Sequence, residues 1–138
     1  MDSALPHLES AEHLLQAVEQ MRSRLRPGGS VMASIRDYDH LIAERPVVQA
    51  PSFYLDEGRR RVVFQAWEWV DSRRYVFHRY ITRELAKEWQ TFHTSGIYRA
   101  IRRDELAAIL NQAGFTDPRW LAPAESGFYQ PIILVEAG

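Results

Sequence analysis

The sequence predicts an α/β fold, a partial open sheet with two flanking helices and an antiparallel three-stranded insert at about residues 46–100. Three observations carry this expectation. An amphipathic helical pattern runs into a Pro27-Gly28-Gly29 corner and then into the small apolar run 30–35, the helix–turn–strand unit of open α/β sheets. The middle of the chain concentrates aromatic and β-branched residues in three runs, the composition strands favour. A second helical pattern closes at Gly114 and leads into two further strand-like runs.

Taken in order, Ala11, Leu14, Leu15, Val18, Met21 and Leu25 recur at helical spacing and leave Glu12, Gln16, Glu19, Gln20 and Arg22 for solvent. Acidic Glu9 and Glu12 lie near the start, and Arg22, Arg24 and Arg26 near the end, which suits the helix dipole. Residues 30–35 are almost all apolar or small, so they read as a strand buried on both faces. Runs 60–70, 75–83 and 89–97 follow, with Asp71-Ser72 as the turn between the first two. Their connections are too short for helical crossovers, so the three strands pair antiparallel. Residues 104–113 return to helix, with Asp104 as expected N-cap and Gly114 at the C-cap. Strands at 116–121 and 129–136 complete the chain, with 122–128 as their loop. No internal repeat and no long linker divides it, so residues 1–138 read as a single domain.

Composition narrows the function. The 138 residues are 46% hydrophobic and 25% charged with a net charge of −1, which argues against a nucleic-acid or anionic-membrane surface. Cysteine is absent, so thiolate chemistry and disulfides are excluded and a cytoplasmic location is expected. No apolar run approaches the ~20 residues that span a bilayer, and the first residues lack the regions of a signal peptide.

In an open α/β sheet, ligands bind beyond the carboxyl ends of the strands. The segment Arg36-Asp37-Tyr38-Asp39, directly after the apolar run, occupies that position and reads as a charged aromatic loop. Trp67, Trp69, Tyr75, Phe77, Tyr80, Trp89 and Phe92 in the insert offer faces that attract alkylammonium groups, although a small antiparallel layer needs the same residues for its core. His78 and His93 lie on neighbouring strands, but two histidines without a third ligand make a weak metal signal, and no metal site is expected.

At these residues the chain resembles the C-terminal half of class I S-adenosylmethionine-dependent methyltransferases, specifically the glycine/sarcosine N-methyltransferase-like group. Asp2-Ser3-Ala4-Leu5-Pro6-His7-Leu8 is similar to that group's motif after the fourth strand. Leu25-Arg26-Pro27-Gly28-Gly29 is similar to the turn before the fifth, and Ile35-Arg36-Asp37-Tyr38-Asp39-His40-Leu41 to the loop after it. Ala113-Gly114-Phe115 resembles the end of the helix before the sixth strand. The resemblance implies a partial Rossmann-like methyltransferase sheet, with the last two strands as the sixth and seventh.

It also implies S-adenosylmethionine as cofactor in the complete enzyme and transfer of its methyl group to a small-molecule amine, or less readily a hydroxyl. Such a transfer needs proximity, alignment and desolvation more than a strong base, so no catalytic residue is assigned. Arg36 matches the arginine that takes the substrate carboxylate, a role suited to its planar fork. The alternative pairs Arg36 with Asp37, Asp39 or Glu125. Tyr38 is expected either against the substrate or wedged under the loop. Ser3 stands where the group often has asparagine contacting substrate or cofactor. Asp2, Ala4 and His7 are the expected cofactor neighbours.

The family's glycine-rich loop has no counterpart, since no Gly-x-Gly-x-x-Gly pattern occurs. The chain by itself is therefore expected to bind the cofactor weakly or not at all, and to be inactive, as a truncated or split part of an enzyme that pairs with a missing N-terminal half, or as a degenerate subunit. A reading from another class is a noncatalytic binding or assembly module that forms a homodimer through the uncovered strand 30–35. A third, a small α+β barrel with an aromatic interior, accounts for the insert but not for the Pro-Gly-Gly and Arg-Asp-Tyr-Asp pair.

Overall fold

Ser10 opens the first helix: its hydroxyl accepts a hydrogen bond from the His13 backbone N–H at 3.1 Å, satisfying one of the helix's orphan donors. In the computed structural model, which describes residues 4–138, a 3-10 turn at Leu5–His7 precedes that helix. In chain order the elements are α1 (Ala11–Ser23), β1 (Ser30–Ser34), α2 (Tyr38–Glu44), β2 (Val48–Asp56), β3 (Arg59–Trp69), β4 (Arg74–Glu84), β5 (Trp89–Arg99), α3 (Arg103–Gln112), β6 (Phe115–Leu121), α4 (Pro123–Ser126) and β7 (Ile132–Ala137). They form two compact units, one from residues 4–43 with Arg99–Gly138 and the other Glu44–Tyr98.

In the first unit, strands run in the order β1-β7-β6, with β7 antiparallel to both neighbours. Helix α1 packs on α3, and α3 on β6. Leu14, Val18, Leu106, Leu110, Phe115, Ile133 and Val135 are buried as its core. The Pro-Gly-Gly corner is sewn to the last strand: Gly28 N–H donates to the Ala137 carbonyl at 2.9 Å, and Ala137 N–H to that of Gly29 at 2.7 Å. Gly28 sits at φ +74, a conformation that side chains with a Cβ rarely take.

Several expectations are corrected here. Strand β1 is not buried on both faces; it is the outer strand of its sheet, and Met32 is 69% exposed. The central place belongs to β7, whose Ile132, Ile133 and Val135 are buried. Residues 129–131 precede that strand, since Pro131 has no N–H to give a ladder. The segment at 36–39 is helical from Tyr38 onward, because Asp37 accepts from the backbone N–H of His40 at 3.4 Å and of Leu41 at 3.0 Å. Arg102, not Asp104, is the N-cap of α3; the Asp104 carboxylate accepts from Glu105 N–H instead. Ala113, not Gly114, is the C-cap of α3, and Gly114 follows at φ +88. The region 122–128 contains α4, which Glu125 starts by reaching back to the Ala122 N–H at 2.7 Å.

The second unit is one sheet in the order β2-β3-β4-β5, four strands where the sequence suggested three. The added strand, β2, is an edge strand carrying Pro51 beside a register shift between Gln49 and Ser52, both typical of edges. It turns into β3 through Glu57 and Gly58, each with positive φ (51° and 81°), the geometry of a two-residue hairpin whose twist matches its strands. Asp71 makes the next turn by accepting from Arg73 and Arg74 N–H, both at 2.8 Å. On one face Trp67 stacks on Tyr75 and Phe77 on Tyr98, each at 4.3 Å between ring centroids. These four rings are buried and give the sheet its core.

Candidate functional site

Register places the candidate site. Beyond the last paired residues, Ser34 and Ile132, the buried Ile35 donates its N–H to the Pro131 carbonyl at 3.2 Å. One residue further on each chain stand Arg36, half-buried, and Gln130, buried. This is the carboxyl end of β1, where an open α/β sheet binds its ligands.

The carboxylates of this loop are held by α3. Arg103 reaches Asp37 at 2.8 Å and Asp39 at 3.5 Å, and its backbone N–H donates to Asp39 at 3.3 Å. A helix N-terminus carries partial positive charge, so two carboxylates are favoured there. Two residues along, Glu105 pairs with the buried Arg99. Glu125 is used by the α4 cap. Thus the three carboxylates weighed as partners for Arg36 each have another role, while Arg36 also has an interaction within the chain. Arg103 thus pairs with Asp37 and Asp39, and Arg99 with Glu105.

The other expected site residues are placed less centrally. Tyr38 is 1% exposed, its ring among the buried core residues. Ala4 and His7 are exposed at the Leu5–His7 turn. Asp2 and Ser3 lie outside the described residues. Sequence reasoning missed Arg103 and Arg99. The signal for Arg103 was the charge run Arg102-Arg103-Asp104-Glu105, which by itself reads as a helix start.

In the second unit, most of the aromatic faces are occupied by the chain's own groups. Trp67, Tyr75 and Phe77 are core residues. Arg60 lies over Trp89 at 5.1 Å, Arg83 over Phe92 at 4.7 Å, and Arg45 over Trp69 at 5.4 Å. An alkylammonium guest would have to displace these guanidiniums. Tyr80 is sandwiched between Phe64 at 4.9 Å and His93 at 4.8 Å.

His78 Nδ1 and His93 Nε2 are 2.9 Å apart with their ring centroids at 5.2 Å. The nitrogens therefore face each other head-on as a hydrogen bond, with Glu68 3.6 Å from the other nitrogen of His78. Around the sheet, Arg60 donates to Glu84 through its side chain and backbone N–H and holds that carboxyl down to about 2. Arg61 lowers Asp56 by a side-chain hydrogen bond in the same way.

A separate open, mostly apolar groove of about 460 Å³ lies beside the start of β1, lined by Gln20, Met21, Arg24, Leu25 and Val31. It borders the exposed strand edge and not the Arg36 loop. Among the described residues no helix is long and apolar enough to cross a membrane.

No protein-family model and no curated protein matches this sequence. Solved structures do. DesVI of Streptomyces venezuelae is similar over the whole of this chain and 56% of its own length, at 17% identity and a TM-score of 0.82. CalS10 of Micromonospora echinaspora, a SAM-bound amino pentose methyltransferase involved in calicheamicin biosynthesis, is similar over the same shares at 17% identity and a TM-score of 0.73. The sugar N-methyltransferase KedS8 of a Streptoalloteichus species is similar over 99% of this chain and 53% of that one, at 14% identity and a TM-score of 0.72. The chain has the α/β fold of these solved structures, and it spans about half of their length.

Proposed function

We propose that this chain forms the substrate-facing part of an S-adenosylmethionine-dependent methyltransferase that methylates a small-molecule amine, or less readily a hydroxyl. The observation that carries this reading is the likeness in fold, over the full chain, to methyltransferases that include a SAM-bound amino pentose enzyme and a sugar N-methyltransferase. The glycine/sarcosine-like relationship is a finer proposal, and it rests on the Arg-Asp-Tyr-Asp segment.

S-Adenosylmethionine, when bound, supplies the methyl group on a sulfonium centre. The chain's part is to hold the acceptor in line with it and to exclude water. Arg36, at the carboxyl end of β1, takes an acidic group of the acceptor through its planar guanidinium, which joins or replaces the interaction Arg36 now makes. Arg103 is the positioning residue for that loop through Asp37 and Asp39. Ala4 and His7, with Asp2 and Ser3, are proposed to border cofactor and substrate.

Losing a charge-assisted contact costs about 1.5–3 kcal/mol. In the complete enzyme, Arg36→Ala is expected to raise the KM for the acceptor roughly 10- to 100-fold while leaving S-adenosylmethionine affinity nearly unchanged. Steady-state kinetics with calorimetry of cofactor binding checks it, and an unaltered acceptor KM would remove Arg36 from the site.

A second reading, a noncatalytic assembly module, is favoured by one observation. Strand β1 is the outer strand of its sheet, with Met32 69% exposed and Val31 lining an apolar groove, the kind of edge that pairs with another copy.

A further inference from the structure

Residues Gly127 to Pro131, between α4 and β7, reverse the usual partition of side chains. Phe128 and Tyr129 stay exposed, at 38% and 64%, while Gln130 is taken inside at 8%. Apolar rings outside and an amide inside is the opposite of what burial favours. The buried amide is also incompletely satisfied: Gln130 Oε1 has no hydrogen-bond partner. An acceptor buried in this way forfeits its hydration with nothing in return. A fold retains such a group most readily where a ligand completes it.

The location agrees with that explanation. The residue after Gln130, Pro131, is bonded to Ile35, and the residue after Ile35 is Arg36. The only other buried polar side-chain atoms without a hydrogen-bond partner among the described residues are Arg99 Nη1 and Arg103 Nε. Arg103 holds Asp37 and Asp39, and Arg99 pairs with Glu105 on the same helix turn. Gln130 and Arg103 thus belong to segments that adjoin the carboxyl end of β1, Arg103 through its ion pairs with Asp37 and Asp39, whereas Arg99 is the last residue of β5.

We propose that Gln130 is a ligand-binding residue of this site, its side-chain carbonyl accepting a hydrogen bond from an ammonium, amine or hydroxyl group of a small molecule whose acidic group lies at Arg36. The inference rests on the reading of Arg36 given above and extends it. The site then reads two chemical groups of one ligand, an acid and a hydrogen-bond donor, and Gln130 discriminates against molecules that carry the acid alone.

The test uses the purified chain with isotope-labelled glutamine and arginine side chains, followed by NMR. Three probes are titrated: glycine, which has both groups, acetate, which has only the acid, and methylammonium, which has only the donor. Glycine is expected to shift the Gln130 amide and the Arg36 guanidinium saturably, and acetate to shift Arg36 alone. Gln130→Met is expected to weaken glycine at least fivefold and leave the acetate response intact; a smaller loss overturns the proposal.

If acetate moves Arg36 but glycine never reaches Gln130, the Arg36 reading stands and this inference falls. If neither residue responds to any probe, both fall. Thermal unfolding provides a ligand-independent check. Replacing an unsatisfied amide by an apolar side chain of similar length leaves the melting temperature equal or raised, whereas a lowered one means Gln130 has a structural partner and overturns the assignment.

Discussion

Gly96 in β5 has no side chain because Phe77 of the neighbouring strand occupies that space: a Cβ there would stand 2.8 Å from the Phe77 ring. The ring has nowhere to retreat, since it is 7% exposed and stacked on Tyr98. Gly96→Ala is therefore expected to destabilise the protein by about 1–3 kcal/mol, read as a lower denaturant midpoint with an unchanged slope. Residues of this kind were invisible in the sequence, where Gly96 is one glycine among seven. Arg36 was visible, because its place after an apolar run marks a strand end. Arg103 was not: its hydrogen bond to Asp39 spans 64 positions, and nothing in a local charge run says which distant carboxylate it will meet. Tyr38 was singled out as well, and its burial, set by what packs on it, was not legible.

At the scale of elements, the hairpin of β2 and β3 turns on Glu57, an L-residue at φ +51. That conformation costs an ordinary side chain about 1–2 kcal/mol, and asparagine pays less of it. Glu57→Asn is expected to raise stability by roughly 0.5–1 kcal/mol, measured by the shift in chemical unfolding midpoint. The same hairpin explains why β2 escaped the sequence reading. Its nine residues include Pro51, and eight of them are exposed, so no alternation of apolar and polar residues announces a strand. Strands β3 and β4 were legible because their aromatic residues mark a core face. Helices α1 and α3 were legible from their 3.6-residue periodicity, although the α3 cap was misplaced by two positions.

For the whole molecule, the order β1-β7-β6 leaves β1 as an outer strand with a large exposed methionine. If that edge pairs two copies, the purified chain elutes as a dimer by size exclusion with light scattering, and Met32→Lys returns it to a monomer. A monomeric parent chain would instead leave the edge to some other partner and weaken the assembly reading.

The amino-acid sequence by itself determined where the two long helices and most strands form, where the chain turns at Pro-Gly-Gly, and which segment sits at a strand's carboxyl end. These depend on propensities and periodicities that act within a few residues. Only the tertiary structure decided that the last strand takes the centre of its sheet, that Arg103 holds the acidic residues beside Arg36, that most of the insert's aromatic faces are filled by its own rings and arginines, and that Gln130 lies inside. Each of those outcomes depends on burial and on partners remote in sequence, which local patterns do not encode.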